Sequence, residues 1–307
     1  MNTFKKTTLA LTISALAGGA LAQSAPAPAP APTPATSPIT ANVTVTNDYR
    51  YRGISQSNFQ PAIQGGFDYA HESGFYIGNW NSSISWISDA YGPNGAIGGR
   101  GSNGTAMSAP VEMDFYAGFK KELIGPGFAS DIGVLQYYYP TSGVLNNNGT
   151  ATNPNTTEIY AAQNFTFGAL SGFVKFSYAV STLFGNVNSQ GSYYPDLTIN
   201  YDTGIWGLTA NAHVGYQYVA GNQNGRVGAG TYTNWVGSSI SGVSNSTLYS
   251  YTDWKLGLTK DFGGGLSGAI AYVGTNAATY KGAYSYANPN GKNLGQAGGL
   301  ISLTKTF

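Results

Sequence analysis

The chain of 307 residues carries 43 glycines, 23 tyrosines, 14 phenylalanines and 5 tryptophans, but only 14 basic and 13 acidic residues, for a formal charge of +1. Charged residues make up 9%, against roughly 25% in ordinary soluble domains, which is too few to keep a near-neutral domain dispersed in water. No apolar run reaches the ~18 residues of a helical membrane span, the aromatic density argues against disorder, the absence of cysteine excludes disulfides and thiolate sites, two histidines leave little for zinc, and the balanced charge gives no nucleic-acid signal.

In chain order, residues 1–22 read as an export signal: Lys5 and Lys6, then an apolar stretch from Leu9 to Leu16, then Ala20-Leu21-Ala22 as a small-x-small cleavage site. Residues 23–39 are rich in Pro and Ala and are expected to form an extended, solvated tether, because proline fixes φ and lacks the backbone donor. Residues 40–307 form the remaining domain, where alternation of apolar and polar residues dominates. Strands are predicted at about 41–52, 61–71, 75–87, 111–121, 128–139, 157–167, 172–181, 192–203, 207–219, 248–262, 266–275 and 298–307.

The connections between these strands alternate in length. Those around 71–74, 122–127, 168–172, 202–206 and 263–265 are short, whereas 53–60, 88–110, 140–156, 182–191, 220–247 and 276–297 are mostly long and rich in Gly, Asn and Ser. Segregation of loop lengths by parity is the pattern of a transmembrane antiparallel β-barrel with short periplasmic turns and long extracellular loops. The predicted fold is therefore all-β, a barrel of about twelve strands with lipid against its outer face.

Alternation also assigns the faces. Val111, Met113, Phe115, Ala117 and Phe119 alternate with Glu112, Asp114, Tyr116, Gly118 and Lys120, and charge on the lipid side would cost up to about 4 kcal/mol near the midplane. Val174, Phe176 and Tyr178 face out against Lys175 and Ser177, and Val214 and Tyr216 face out against His213 and Gln217. In the first strand Val43, Val45, Tyr49 and Tyr51 share one face, and Thr44, Thr46, Asp48, Arg50 and Arg52 the other. The phase of 128–139 and 266–275 stays open, since both faces are mixed. The tryptophans are expected mostly in interfacial girdles.

Particular stretches carry a family resemblance: NDYRYRGISQ (47–56), PAIQGGFDYAHESGFYIGNW (61–80), YYYP (137–140), TEIY (157–160), AHVGYQ (212–217), YTDWKLG (251–257) and SLTKTF (302–307). In these the chain resembles the TorF family of porins in Gram-negative bacteria. The resemblance implies solute passage through an outer-membrane barrel and does not supply a substrate.

The pore-lining candidates are Asp48, Arg50, Arg52, Glu112, Asp114, Glu158, Lys175, His213, Asp253 and Lys255. Arg50 and Arg52 are expected to face Glu112, Asp114 and Glu158 across the bore. With Asp68, Asp196, Asp202, Asp261 and Lys120 included, inward acids outnumber bases, which predicts weak cation selectivity. No catalytic, metal or cofactor residues are assigned. The expected partners are outer-membrane lipid and small hydrophilic solutes, with no oligomeric state assigned. The alternatives are a plugged structural or adhesin barrel, and an outer-membrane lipid-modifying enzyme, for which only His71 and His213 could supply a histidine base.

Overall fold

The computed structural model describes residues 38–91, 107–142, 152–223, 242–277 and 279–307. The export signal, all but Pro38 and Ile39 of the tether, and parts of four long loops lie outside the described residues.

The described strands are β1 (Ile39–Thr46), β2 (Ala62–Ala70), β3 (Phe75–Ser83), β4 (Val111–Gly125), β5 (Phe128–Tyr138), β6 (Thr156–Phe167), β7 (Leu170–Ala179), β8 (Tyr193–Asp202), β9 (Leu208–Gln217), β10 (Tyr251–Gly263), β11 (Leu266–Thr275) and β12 (Gly298–Thr306). Each pairs antiparallel with its sequence neighbours, and β1 pairs with both β2 and β12, so the sheet closes on itself. The closing register runs from Asn42↔Thr306 to Thr46↔Ser302. Closure leaves no strand edge with unpaired backbone groups. Two short helices, α1 (Trp86–Tyr91) and α2 (Asn245–Tyr249), belong to the long loops.

The short connections sit at one end of the barrel. At the turn joining β10 to β11, Gly263, Gly264 and Gly265 have φ of +82°, +59° and +77°, a left-handed run that only glycine adopts without strain. The long connections, including Trp86–Tyr91, sit at the other end.

Side chains follow the pleat. Val45, Ile63, Phe67, Phe115, Ile132, Val174, Leu256, Ile270 and Ile301 stand exposed on the outer wall. Their neighbours Thr44, Gln64, Asp68, Asp114, Asp131 and Lys175 are buried inside. This resolves the two open phases: Ile132 and Val134 face out and Asp131 and Leu135 in, while Ile270 and Tyr272 face out and Val273 in. On the β3–β6 side the interior is filled by an aromatic cluster that includes Tyr76, Trp80, Tyr116, Tyr137 and Tyr160. Room for these rings comes from glycines on the adjacent strand: a Cβ at Gly133 would collide with the Tyr160 ring, and one at Gly78 with the Tyr116 ring.

Candidate functional site in the barrel interior

The segment between β1 and β2 shapes the interior. Asn47 ends the β1 ladder, its side chain accepting from the Ile301 N–H at 2.8 Å and donating to the Gly299 carbonyl at 3.1 Å. The chain then turns inward, and Arg50–Tyr51 pairs with Ile54–Ser55 as a tight hairpin with Arg52 at φ +45° and Gly53 at φ +77°. Asp48 holds it together: one carboxylate oxygen accepts from Arg50 Nε at 2.5 Å, the other from the Ser55 and Ser57 hydroxyls at 2.7 and 3.2 Å. Arg50 Nη1 donates to the carbonyls of Gly53 and Gln296 at 2.8 and 2.9 Å, which fastens the hairpin to the last long loop.

This corrects the predicted strand 41–52. Alternation continues through 49–52, but the ladder ends at Thr46, and Tyr49 and Tyr51 are 1% and 8% exposed inside the barrel, not on the outer face. Two tryptophans depart from the girdle expectation. Trp80 is buried against Tyr49, and Trp86 packs edge-on to Tyr139 in the loop layer, whereas Trp206 and Trp254 are exposed. Trp235 lies outside the described residues.

The hairpin meets an acidic wall. Glu112 accepts from the hydroxyls of Tyr49 at 2.5 Å and Tyr139 at 2.8 Å. Burial, then the charges of Glu112 and Asp114, push the Tyr49 hydroxyl well above the ordinary tyrosine range, so it remains a donor. Arg52 donates to Glu158 Oε2 at 2.7 Å and to Gln217 Oε1 at 2.5 Å, and its guanidinium lies 4.1 Å from the centre of the Tyr194 ring. Burial opposes the Arg52 charge most strongly, but Glu158 together with Tyr51 and Tyr137 outweighs it and holds the guanidinium above its usual range. The arginines thus touch carboxylates directly instead of facing them across an open bore, because the hairpin carries them inward. Asp114 is 0% exposed, and neither of its oxygens has a hydrogen-bond partner.

Halfway down the wall of β7–β10 a second group forms. Lys175 lies 3.8 Å from Asp196, and His213 Nε2 lies 3.0 Å from Asp253. Thr198 Oγ1 and Tyr194 OH contact the two ring nitrogens of His213 at 2.9 and 3.0 Å, and Tyr194 also donates to Asp253 at 2.8 Å. The imidazole is therefore held on both nitrogens. Lys255 follows Asp253 on the same face of β10 and borders the interior space. All ten sequence-selected residues consequently lie on the inner side of the wall, in two groups plus the hairpin. Among the described residues, no group of three or more His, Asp or Glu is placed to hold a metal ion.

Sequence reasoning missed Asp131, whose carboxylate accepts from the Tyr76 hydroxyl at 2.6 Å while Tyr76 also meets the Tyr160 hydroxyl. It placed Tyr116 inside but missed Tyr76, Tyr137 and Tyr160, because a tyrosine on an alternating strand reads equally as lipid-facing or inward. For Tyr76 and Tyr160 the glycine on the neighbouring strand, Gly118 and Gly133, was the available signal.

Two spaces bordered by described residues stand out. One, a cavity of about 50 Å³ partly open to solvent, lies beneath the hairpin along small residues of β11, β12 and β1, bordered by Asp48, Arg50, Thr198, Lys255, Ala269 and Ser302. The other, of about 150 Å³, lies among the long loops on the opposite side of the hairpin.

A closed twelve-stranded antiparallel barrel with an apolar outer wall and a charged, partly filled interior defines the class of protein. Residues 30–241 and 236–307 match the family described as "Bacterial protein of unknown function (Gcw_chp)", and the chain belongs to that family. No curated relative matches the sequence. Among solved structures, the NanC porin is similar at 10% identity with a TM-score of 0.46, and the KdgM porin at 8% identity with a TM-score of 0.45. Both likenesses cover 88% of this chain and 98% of the other.

Proposed function

We propose that this protein is an outer-membrane porin that passes small hydrophilic solutes or ions, with its bore narrowed by the inward hairpin of residues 47–61. The observation that carries this reading is the sidedness of the wall. Exposed Val, Ile, Leu and Phe ring the outside, charged and hydroxyl side chains line the inside, and a solvent-open space follows the small residues Ala269, Ala271, Ser302 and Thr46. Exposed aliphatic side chains on eleven of the twelve barrel strands are unfavourable in water, by roughly 25 cal/mol per Å², and are what hydrocarbon requires. The export signal read at residues 1–22 and the TorF resemblance agree with an outer-membrane location. The solute route runs on the β10–β12 and β1 side, since the β3–β6 side is filled by rings.

The test is reconstitution of purified protein in planar bilayers, with folding checked by heat-modifiable migration on gels. Stepwise conductance is expected. A folded barrel that inserts without steps supports the plugged structural alternative instead.

A further inference from the structure

The space among the long loops has no part in the barrel wall, yet its lining is specialised. Trp86, Tyr139, Phe184, Tyr251 and Tyr286 border it, and each comes from a different connection or strand end. The rings sit edge to face, Trp86 against Tyr139 at 5.2 Å and 89°, and Tyr251 against Tyr286 at 5.2 Å and 78°. Several hydroxyls are directed away into the protein: Tyr139 donates to Glu112, and Tyr286 to the Tyr249 carbonyl. What these side chains offer the space is therefore ring surface.

The polar groups on the rim are mostly neutral. Gln56 and Asn186 supply amides, and the one ionisable carboxylate among the described lining residues is Asp89, which accepts from the Ser85 hydroxyl at 2.7 Å. No lysine or arginine is among the described lining residues. Two polar atoms of the lining, the Trp86 indole nitrogen and the Ser285 hydroxyl, have no hydrogen-bond partner, which in a native fold calls for a bound group or water.

These features select a ligand class. Ring surface stacks on the C–H faces of sugars, and scattered amides and a carboxylate pair with hydroxyls. A polyanionic sugar would meet Asp89 and no lysine or arginine in the described lining. A compact organic cation would need rings converging on one point, whereas these are spread around a partly open space of about 150 Å³, enough to seat about one sugar ring with its neighbours lying along the open rim. We propose that the aromatic vestibule above the hairpin is a binding site for a short neutral oligosaccharide. This deepens the porin reading by naming a class of solute, and it rests on that reading only for transport, since binding itself needs no conduction.

The experiment is isothermal titration calorimetry of the full chain in detergent, with maltotriose and cellotriose as neutral probes and trigalacturonate and choline as charged ones. Saturable binding of a neutral trisaccharide is expected, weakened roughly five- to tenfold by Trp86→Ala and by Tyr251→Ala, with Asp89→Asn retaining part of it. Heat-modifiable migration checks that each variant still forms a barrel. Binding of neither neutral sugar, preferential binding of trigalacturonate or choline, or wild-type affinity in both aromatic variants overturns the proposal. A barrel that binds the sugar but never conducts overturns the porin reading alone.

Discussion

Arg52 and Glu158 meet at 2.7 Å inside the barrel, 106 residues apart in sequence, with side chains 6% and 1% exposed. The contact seats the first loop against β6, and removing one partner of a buried pair is far costlier than removing both. Arg52→Ala should lower stability by about 3–5 kcal/mol as an upper bound and loosen the hairpin, raising single-channel conductance. Arg52→Leu combined with Glu158→Leu should recover much of the stability while keeping the larger conductance. Unchanged conductance in both variants would show that the hairpin is not the constriction.

The two sides of the wall should respond oppositely to the same added charge. Phe115→Arg places a guanidinium on the outer face and should impair refolding into bilayers by up to about 4 kcal/mol. Ser302→Arg points into the interior space and should refold normally while reducing conductance. Equal refolding yields for both would contradict the face assignment.

Asp114 is a buried carboxyl with no hydrogen-bond partner, so its amide replacement removes an uncompensated acid. Asp114→Asn should therefore leave the melting temperature unchanged or raise it. Glu112→Gln should lower it, because two tyrosine hydroxyls donate to that carboxylate. A clear loss of melting temperature in Asp114→Asn would mean that the acid has a stabilising role.

Charge in the interior should appear as selectivity. Asp48 and Glu158 are balanced by Arg50 and Arg52, and Asp196 lies beside Lys175. Lys255 borders the solvent-open space, so its charge acts on passing ions. Asp68, Glu112 and Asp131 have no lysine or arginine ion pair among the described residues, so the interior keeps a negative balance. Weak cation selectivity is therefore expected for the wild type, deepened by Lys255→Gln, as read from reversal potentials in a salt gradient. An anion-selective wild type sinks this account.

Most of the wall was legible in the sequence because a strand with an apolar outer face and a polar inner face must alternate. The segment 266–275 coincides with β11, and 61–71 brackets β2 within one residue at each end. The same rule misleads at 47–52, where alternation persists although the chain has left the sheet. A side-chain cap by Asn47 and a left-handed step at Arg52 carry no period. The candidate residues could be placed inside, but their partners could not. Arg52 finds Glu158 and Gln217 through a turn whose direction depends on Asp48 collecting two serines, a tertiary effect that no spacing announces. Asp131 stayed hidden because β5 mixes small and polar residues on both faces.

The seam between β1 and β12 sets the order in which the fold can be completed. Across it the Thr44 and Thr304 hydroxyls bond at 2.8 Å, joining positions 260 residues apart. Every other wall pairing joins consecutive strands and can form locally, but this one has near-maximal contact order and its loop closure is the slowest to be rewarded. Until β12 arrives, β1 and β11 each present an open edge, the kind of surface that recruits foreign strands. The chain therefore has to be kept from pairing with other molecules until the seam forms, and the final zipper event converts an aggregation-prone ribbon into a cylinder with no free edge.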